Sequence, residues 1–179
     1  MPETPKNINA SITPLEFELL VKDYLQNLGQ NLTSFVATHD VRYLASDGEY
    51  QIDVFCNFEA LGATFKVLVE CKKQKRDVER AVVQLLFDKL RATGSQKGLI
   101  FSTGGFQSGA IEFAEMHGIA LIRLIEGRYT YFTKAGDEQK FDPPPWADIS
   151  KYVGEYVVGS SYRYLDHDSL NSLEEFLFG

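Results

Sequence analysis

The feature that most constrains this chain is an alternation of short apolar strands and helical segments between residues 65 and 124. Runs at 65–72, 98–102 and 119–124 are rich in Val, Leu, Ile and Phe, and each is too short for a core helix. Between them lie two segments with helical spacing, from 77 to about 92 and at 106–117. Val78, Ala81, Val82, Leu85 and Leu86 form the apolar stripe expected for the first, and Gly118 ends the second. Strands that return parallel to one another need a crossover of roughly a dozen residues, usually a helix. Strand, helix, strand, helix, strand therefore predicts an α/β layer with parallel members.

The elements before that unit have their own signals. Thr13 suits a helix N-cap, Pro14 the first helical position, and Glu16 the acidic end of a capping box. Phe17, Leu20, Val21, Tyr24, Leu25 and Leu28 then recur at helical spacing, and Gly29 reads as the stop. Alternation and β-branched or aromatic content predict strands at 35–43 and 50–58, with Asp47-Gly48 as the hairpin turn. Beyond Glu126 the texture changes to one more strand at 128–133, a rigid Pro143-Pro144-Pro145 link and a tail holding Tyr152, Tyr156, Tyr162 and Tyr164. A short helix is expected at 171–178, and no internal repeat is visible. These signals predict a three-layer α/β/α sandwich with a mixed central sheet. Its main unit spans 1–125, and 126–179 is an appendage packed on the same domain.

Composition removes several classes of function. With 44% hydrophobic and 24% charged residues, the 179-residue chain has the balance of one soluble globular domain. The polar stretch 1–11 lacks the pattern of a signal peptide, and no run is apolar enough to span a bilayer, so no membrane role is expected. Cys56 and Cys71 are too few for a disulfide framework, which points to a reducing cytoplasm; both fall on apolar strand faces and suit buried small hydrophobes. His39, His117 and His167 show no paired spacing with each other or with the cysteines, which argues against zinc. Ser102-Thr103-Gly104-Gly105 lacks the lysine of a P-loop and the spacing of a dinucleotide loop, so it reads as a strand–helix turn without a nucleotide cofactor. The net charge of −7 disfavours a nucleic-acid partner only on average. Lys66, Lys72, Lys73, Lys75, Arg76 and Arg80 crowd into one stretch while acidic residues collect in the tail, and such a patch is either a phosphate-binding face or a solvated surface.

Residues two apart in a strand share a face. In 65–72, Phe65, Val67, Val69 and Cys71 point one way and Lys66, Leu68, Glu70 and Lys72 the other, so a carboxylate and an ammonium project together. In 50–58, Asp53 lies opposite the face of Ile52, Val54 and Cys56, and hairpin pairing would bring it beside Glu70. Two close carboxylates repel and raise a pKa unless a cation lies between them. Such hard oxygen donors favour Mg²⁺ or Mn²⁺ over zinc. Lys72 can orient or deprotonate a water and stabilise charge on a phosphate, but carboxylate neighbours raise its pKa, so metal and lysine would have to act together. Glu18, on the flank of the first helix's stripe, either joins this group or pairs with Lys22. On these residues alone, a structural Asp–Lys–Glu ion cluster stays an equal alternative.

Asp53 followed by Glu70-Cys71-Lys72 has the order and separation of the PD-(D/E)xK nuclease motif, with Ile52-Asp53 in place of the nominal Pro-Asp. More closely, the chain resembles the Mrr-type restriction endonuclease catalytic domain. Thr13-Pro14-Leu15-Glu16-Phe17-Glu18 is similar to its opening helix, Gln51-Ile52-Asp53-Val54 to its metal-binding strand, and Val69-Glu70-Cys71-Lys72 to its core motif in the Glu-x-Lys form. The stretch from Ser102 through Ala110 to Gly118-Ile119-Ala120-Leu121 is similar to its later strand–helix–strand section. The resemblance runs from 13 to 124.

It implies a restriction-endonuclease-like fold and Mg²⁺-dependent DNA cleavage. By the same match, Asp53 and Glu70 ligate the metal with help from Glu18, and Lys72 serves catalysis. Gln84 falls where the family often carries a polar active-site residue, the alternative being an ordinary surface position beside Arg80 and Asp88. Lys73, Gln74, Lys75, Arg76 and Arg80 are the expected DNA-backbone contacts. Double-strand cleavage with one site per chain predicts a homodimer. The expected role is defence against foreign DNA, with DNA repair or junction resolution as the alternative. A catalytically silent nucleic-acid-binding module of the same fold, or a protein-binding role centred on the acidic tail, are the competing classes. No separate DNA-binding domain of the kind many Mrr proteins carry is recognisable.

Overall fold

The structure, a computed structural model, describes residues 12–126, 151–165 and 177. In chain order these residues form α1 (Pro14–Leu28), a 3₁₀ turn (Gly29–Asn31), β1 (Thr33–Ala45), β2 (Gly48–Ala60), β3 (Ala63–Lys72), α2 (Arg80–Thr93), β4 (Lys97–Ser102), α3 (Ser108–His117), β5 (Ala120–Glu126), β6 (Tyr152–Val158) and β7 (Ser161–Leu165). Among the described residues one seven-stranded sheet runs β1 to β7 in sequence order. β1, β2 and β3 are antiparallel neighbours, β3, β4 and β5 are parallel, and β6 and β7 return antiparallel. α1 packs its buried Phe17, Val21 and Leu25 on one face, with Val54, Cys56, Val67, Val69 and Phe101. The other face carries Leu68, Ile100 and Leu121 beneath Val83, Leu86 and Leu90 of α2 and Ala110 and Ala114 of α3. This is the expected three-layer α/β/α sandwich with a mixed sheet.

The start of α1 forms as its sequence predicts. Thr13 Oγ1 accepts the Glu16 N–H at 3.2 Å, and Glu16 Oε2 accepts the Thr13 N–H at 2.7 Å, completing the capping box. Gly29 follows the helix for a different reason from the usual left-handed stop. Its φ is −79°, and a Cβ there would sit 2.2 Å from the Phe35 ring, so close approach requires the glycine.

Several expectations shift. The first hairpin turns through Ser46-Asp47, because Gly48 already pairs with Ala45. α2 and α3 begin at Arg80 and Ser108, later than helical spacing suggested, because the two preceding loops are tied to each other. The Val78 N–H donates to Gly105 O at 2.9 Å, and the Gln107 N–H donates to Val78 O at 3.0 Å. The buried stripe of α2 is Val83, Leu86, Leu90 and Thr93, whereas Ala81 and Leu85 are exposed. Val82–Val83 and Leu85–Leu86 make both flanks of the helix apolar, so periodicity does not say which flank meets the sheet.

The expected strand at 128–133, the Pro143–Pro145 link and most of the helix at 171–178 lie outside the described residues. Residues 152–165, read from the sequence only as a tyrosine-rich tail, add β6 and β7 to the sheet beyond β5. Tyr152 and Tyr156 pack against the α1-side core. The Tyr24 hydroxyl donates to Leu165 O and accepts the Gly154 N–H at 2.9 Å, fastening α1 to this hairpin.

Candidate active site

β2 and β3 are paired from Ala60↔Ala63 up to Val54↔Val69, and the register stops there. At the next position the Asp53 side chain takes over from the backbone: its Oδ2 accepts the Cys71 N–H at 2.7 Å. The strand turns at this point. Val54 and Cys56 stay in the α1-side core, but Ile52 lies in the α2-side core, so the three do not share one face as alternation suggested. β1 is irregular at the same level. Asp40, between the pairs His39↔Val54 and Val41↔Ile52, has φ +50°, a left-handed conformation that Asp tolerates better than most residues. Its Oδ1 accepts from Gln51 Nε2 at 2.8 Å.

Glu70 projects to the α2 side with Leu68, as alternation along β3 requires, and is 7% exposed. Each of its oxygens meets an ammonium. Lys72 Nζ donates to Oε1 at 2.7 Å, and Lys89 Nζ donates to Oε2 at 3.0 Å. Lys89 also donates to Gln51 O at 3.0 Å, linking α2 to β2 and β3 together. Lys89 escaped the sequence reading. Its one signal was a lone lysine between Leu86 and Leu90 on the helix that follows the Glu-x-Lys strand.

Burial raises the Asp53 pKa, with Glu70 and Glu18 adding to the rise; the Cys71 N–H and Lys72 oppose them, leaving a value of about 6. Burial also pushes Glu70 up, but the bonds and charges of Lys72 and Lys89 outweigh it and hold the carboxyl below its ordinary range. For Lys72 burial favours the neutral amine, yet the Glu70 bond and the charges of Glu70 and Asp53 win and raise its pKa. Glu70 is therefore a carboxylate and Lys72 an ammonium at neutral pH. Buried Cys71, facing the same carboxylates, is raised well above its ordinary value, and buried Cys56 is pushed up to about 12. Both stay thiols and pack as small hydrophobes, as expected.

The other predicted residues are distributed as follows. Glu18 acts on Asp53 through its charge, so α1 does bring it to this group. Its bonded partner is His39, at 2.7 Å from Nε2 to Oε2, whereas Lys22 pairs with Asp23. Gln74 is engaged in the loop tie: its N–H donates to Thr103 Oγ1 at 3.0 Å, and the Thr103 hydroxyl donates back to Gln74 O at 2.9 Å. Lys73 is half-buried; Lys75, Arg76 and Arg80 are exposed, with the Arg80 guanidinium 5.1 Å from the Phe113 ring centre. Gln84 is exposed on α2, roughly 140° around the helix from Lys89 at 3.6 residues per turn. The 102–105 segment is spent on bonds within the protein: Ser102 Oγ accepts the Gly104 N–H at 3.0 Å, and Thr103 and Gly105 bond the 74–78 loop, consistent with a strand–helix turn. The His117 ring packs at a tilt against both Phe87 and Phe113, and His167 lies outside the described residues.

Across the sheet, Lys72 pairs in register with Ser102, Ser102 with Arg123 and Arg123 with Glu155. Arg123 forms an ion pair with buried Glu155, Nε to Oε2 at 2.7 Å, which the sequence reading also missed.

Among the described residues no trio of His, Cys, Asp or Glu forms a ready-made metal cage. Mg²⁺ does not require one: it is commonly held by one or two carboxylates plus waters and substrate phosphates. The donor set here fits that pattern. Asp53 and Glu70 are hard oxygen donors close enough for the charge of Glu70 to raise the Asp53 pKa, and Glu18 adds a third negative charge nearby.

Residues 9–128 match Mrr_cat, a restriction endonuclease family. The chain belongs to the Mrr_cat family. Glu18, Asp53, Glu70, Lys72 and Lys89 all lie within the matched span. The chain is 29% identical over 112 residues to the type IV methyl-directed restriction enzyme EcoKMrr of Escherichia coli (strain K12), a match covering 62% of this chain and 35% of that relative. Solved structures similar to this Mrr_cat chain include the protein of unknown function AF1548, with a TM-score of 0.49, 18% identity, and coverage of 64% of this chain and 58% of that one. The DNA modification-dependent restriction endonuclease AspBHI is similar with a TM-score of 0.42 and 17% identity, over 61% of this chain and 28% of that one. No helix among the described residues is long and apolar enough to cross a membrane.

Proposed function

We propose that this chain is a Mg²⁺-dependent endodeoxyribonuclease of the restriction type, active with Mn²⁺ as well, that hydrolyses DNA phosphodiester bonds in the cytoplasm. One observation carries the reading: Asp53 and Glu70 come together where β2 and β3 stop pairing, with the Lys72 ammonium 2.7 Å from Glu70. Asp53 and Glu70, assisted by Glu18, would hold the ion, whose chemistry is to polarise a phosphate and acidify a bound water.

The chain's own groups do the rest. Glu70 is ionised by its lysines, and Asp53 ionises as pH rises past about 6, so both are available as anions at neutral pH. Lys72 remains an ammonium, which suits it to hold the attacking water by hydrogen bonding and to stabilise charge developing on the phosphate oxygens. Exposed Lys75, Arg76 and Arg80, with Lys73, grip the flanking backbone, while Gln74 and Gln84 supply polar contacts at its edge. Cutting both strands with one site per chain calls for a homodimer. Defence against foreign DNA is the biological role that fits a restriction family best.

The test is conversion of supercoiled plasmid to nicked or linear DNA with Mg²⁺, set against EDTA and Lys72→Ala. Cleavage by the wild type alone is expected. Wild type and variant leaving the plasmid equally intact in both Mg²⁺ and Mn²⁺ would remove the reading.

A further inference from the structure

We propose that Lys89 is a positioning residue that sets the gap between the Asp53-bearing and Glu70-bearing strands and leaves one Glu70 oxygen for an incoming cation. This rests on the metal-dependent nuclease reading above. Beyond the end of the β2–β3 ladder at Val54↔Val69, two cross-ties join the strands among the described residues. One is the Asp53–Cys71 bond. The other is Lys89, whose Nζ joins Gln51 O of β2 to Glu70 Oε2 of β3, at 3.0 Å each.

The two lysines on Glu70 are not equivalent. Lys89 enters from α2 between buried Leu86 and Leu90, and its side chain is 14% exposed. A buried ammonium is costly unless its donors are matched, and here one carbonyl and one carboxylate oxygen match two of the three. Lys72 is 30% exposed and holds the opposite oxygen, Oε1, from the open side. A cation reaching Glu70 can therefore displace Lys72 toward substrate, while Lys89 stays as the brace.

This assignment differs in sign from the simpler idea that Lys89 only supplies counter-charge. A mere counter-charge competes with a divalent ion, so its removal would tighten metal binding. Loss of a brace lets the two carboxylates drift apart and weakens binding despite the lost repulsion. Residues that orient ligands from outside typically contribute about 10- to 100-fold in metal affinity.

The decisive measurement is Mn²⁺ affinity of the DNA-free full chain, read from loss of the free-ion paramagnetic resonance signal. Folding of each variant is checked by circular dichroism. Lys89→Met is expected to bind Mn²⁺ at least about 10-fold more weakly than wild type. Lys89→Arg, whose forked donors can serve both acceptors, is expected to recover most of the loss. Lys72→Met should bind as tightly as wild type or tighter. Should Lys89→Met not fold, Lys89→Gln takes its place with the same expectation, and failure of every Lys89 variant to fold would make the role structural and end the proposal. Equal or tighter binding by folded Lys89→Met, or equal weakening by Lys72→Met, overturns the proposal while leaving the nuclease reading intact. A wild type that binds no Mn²⁺ removes both.

Discussion

The Asp53 carboxylate accepts the backbone N–H of Cys71 at 2.7 Å, so a side chain stands where a continued β2–β3 ladder would have offered a carbonyl. That exchange opens the sheet on the side of Glu70 and Lys72. It also fixes a carboxyl group in a place where burial and two acidic neighbours disfavour its charge.

The first prediction concerns that unfavourable charge. Asp53 titrates at about 6 in the folded chain against 3.8 ordinarily, so between these values the folded state binds more protons than the unfolded state. Stability therefore falls as pH rises through this window. Asp53→Asn keeps an acceptor for Cys71 without the charge. It should gain on the order of 1–3 kcal/mol over the metal-free wild type above pH 6, with the gain fading toward pH 4. Urea melts at several pH values measure this, and a gain that is constant with pH would contradict it. The same variant should lose plasmid cleavage.

Glu70 neutralises two ammoniums at once. Glu70→Gln deprives Lys72 and Lys89 of the carboxylate that both bond, leaving Lys72 only the charge of Asp53, which should cost on the order of 3 kcal/mol. Adding Lys89→Met to that variant should restore part of the loss, because the two residues are directly coupled. Purely additive losses in denaturant unfolding would show that the cluster is not coupled as its geometry indicates.

Exposed Lys75 and Arg76 are expected to act on phosphates rather than bases. Converting both to Ala should weaken DNA binding across unrelated sequences and reduce the slope of log K against log salt by roughly 0.9 for each phosphate left without its cation. Fluorescence anisotropy over a salt series reads the slope. An unchanged slope would place the DNA backbone elsewhere on the surface.

Gly104 lies against the loop that carries those cations. A Cβ at this position would meet Arg76 O at 2.7 Å and Gln74 O at 3.0 Å, both backbone atoms with little freedom to retreat. Gly104→Ala should therefore destabilise the chain by about 1–3 kcal/mol through overpacking. Thermal unfolding tests it, with an unchanged midpoint as the opposing result.

Much of the local structure is legible in the sequence. The capping box at Thr13 and Glu16, the shared face of Glu70 and Lys72, and the crossover order around β4 and β5 all follow from periodicities only a few residues long. Other features were not legible, and each involves residues far apart in the chain. Alternation along β2 put Ile52 on the face of Val54, but the strand turns at Asp53 and carries Ile52 to the opposite core. Glu18 had Lys22 one helical turn away as a natural partner, yet the approach of β1 supplied His39 instead. The helix starts at Arg80 and Ser108 moved because two loops, distant in sequence, bonded to each other through Val78, Gly105 and Gln107.

The amino-acid order by itself determined the helix and strand alternation, the directions of β1 to β5 and which charged side chains leave the core of β3, because these depend on local repeat and on the reach of each connection. Only the tertiary structure decided where the β2–β3 ladder ends, which flank of α2 meets the sheet, and that Lys89 arrives at Glu70. Those outcomes depend on strand twist and on the packing of whole elements, which no local repeat encodes.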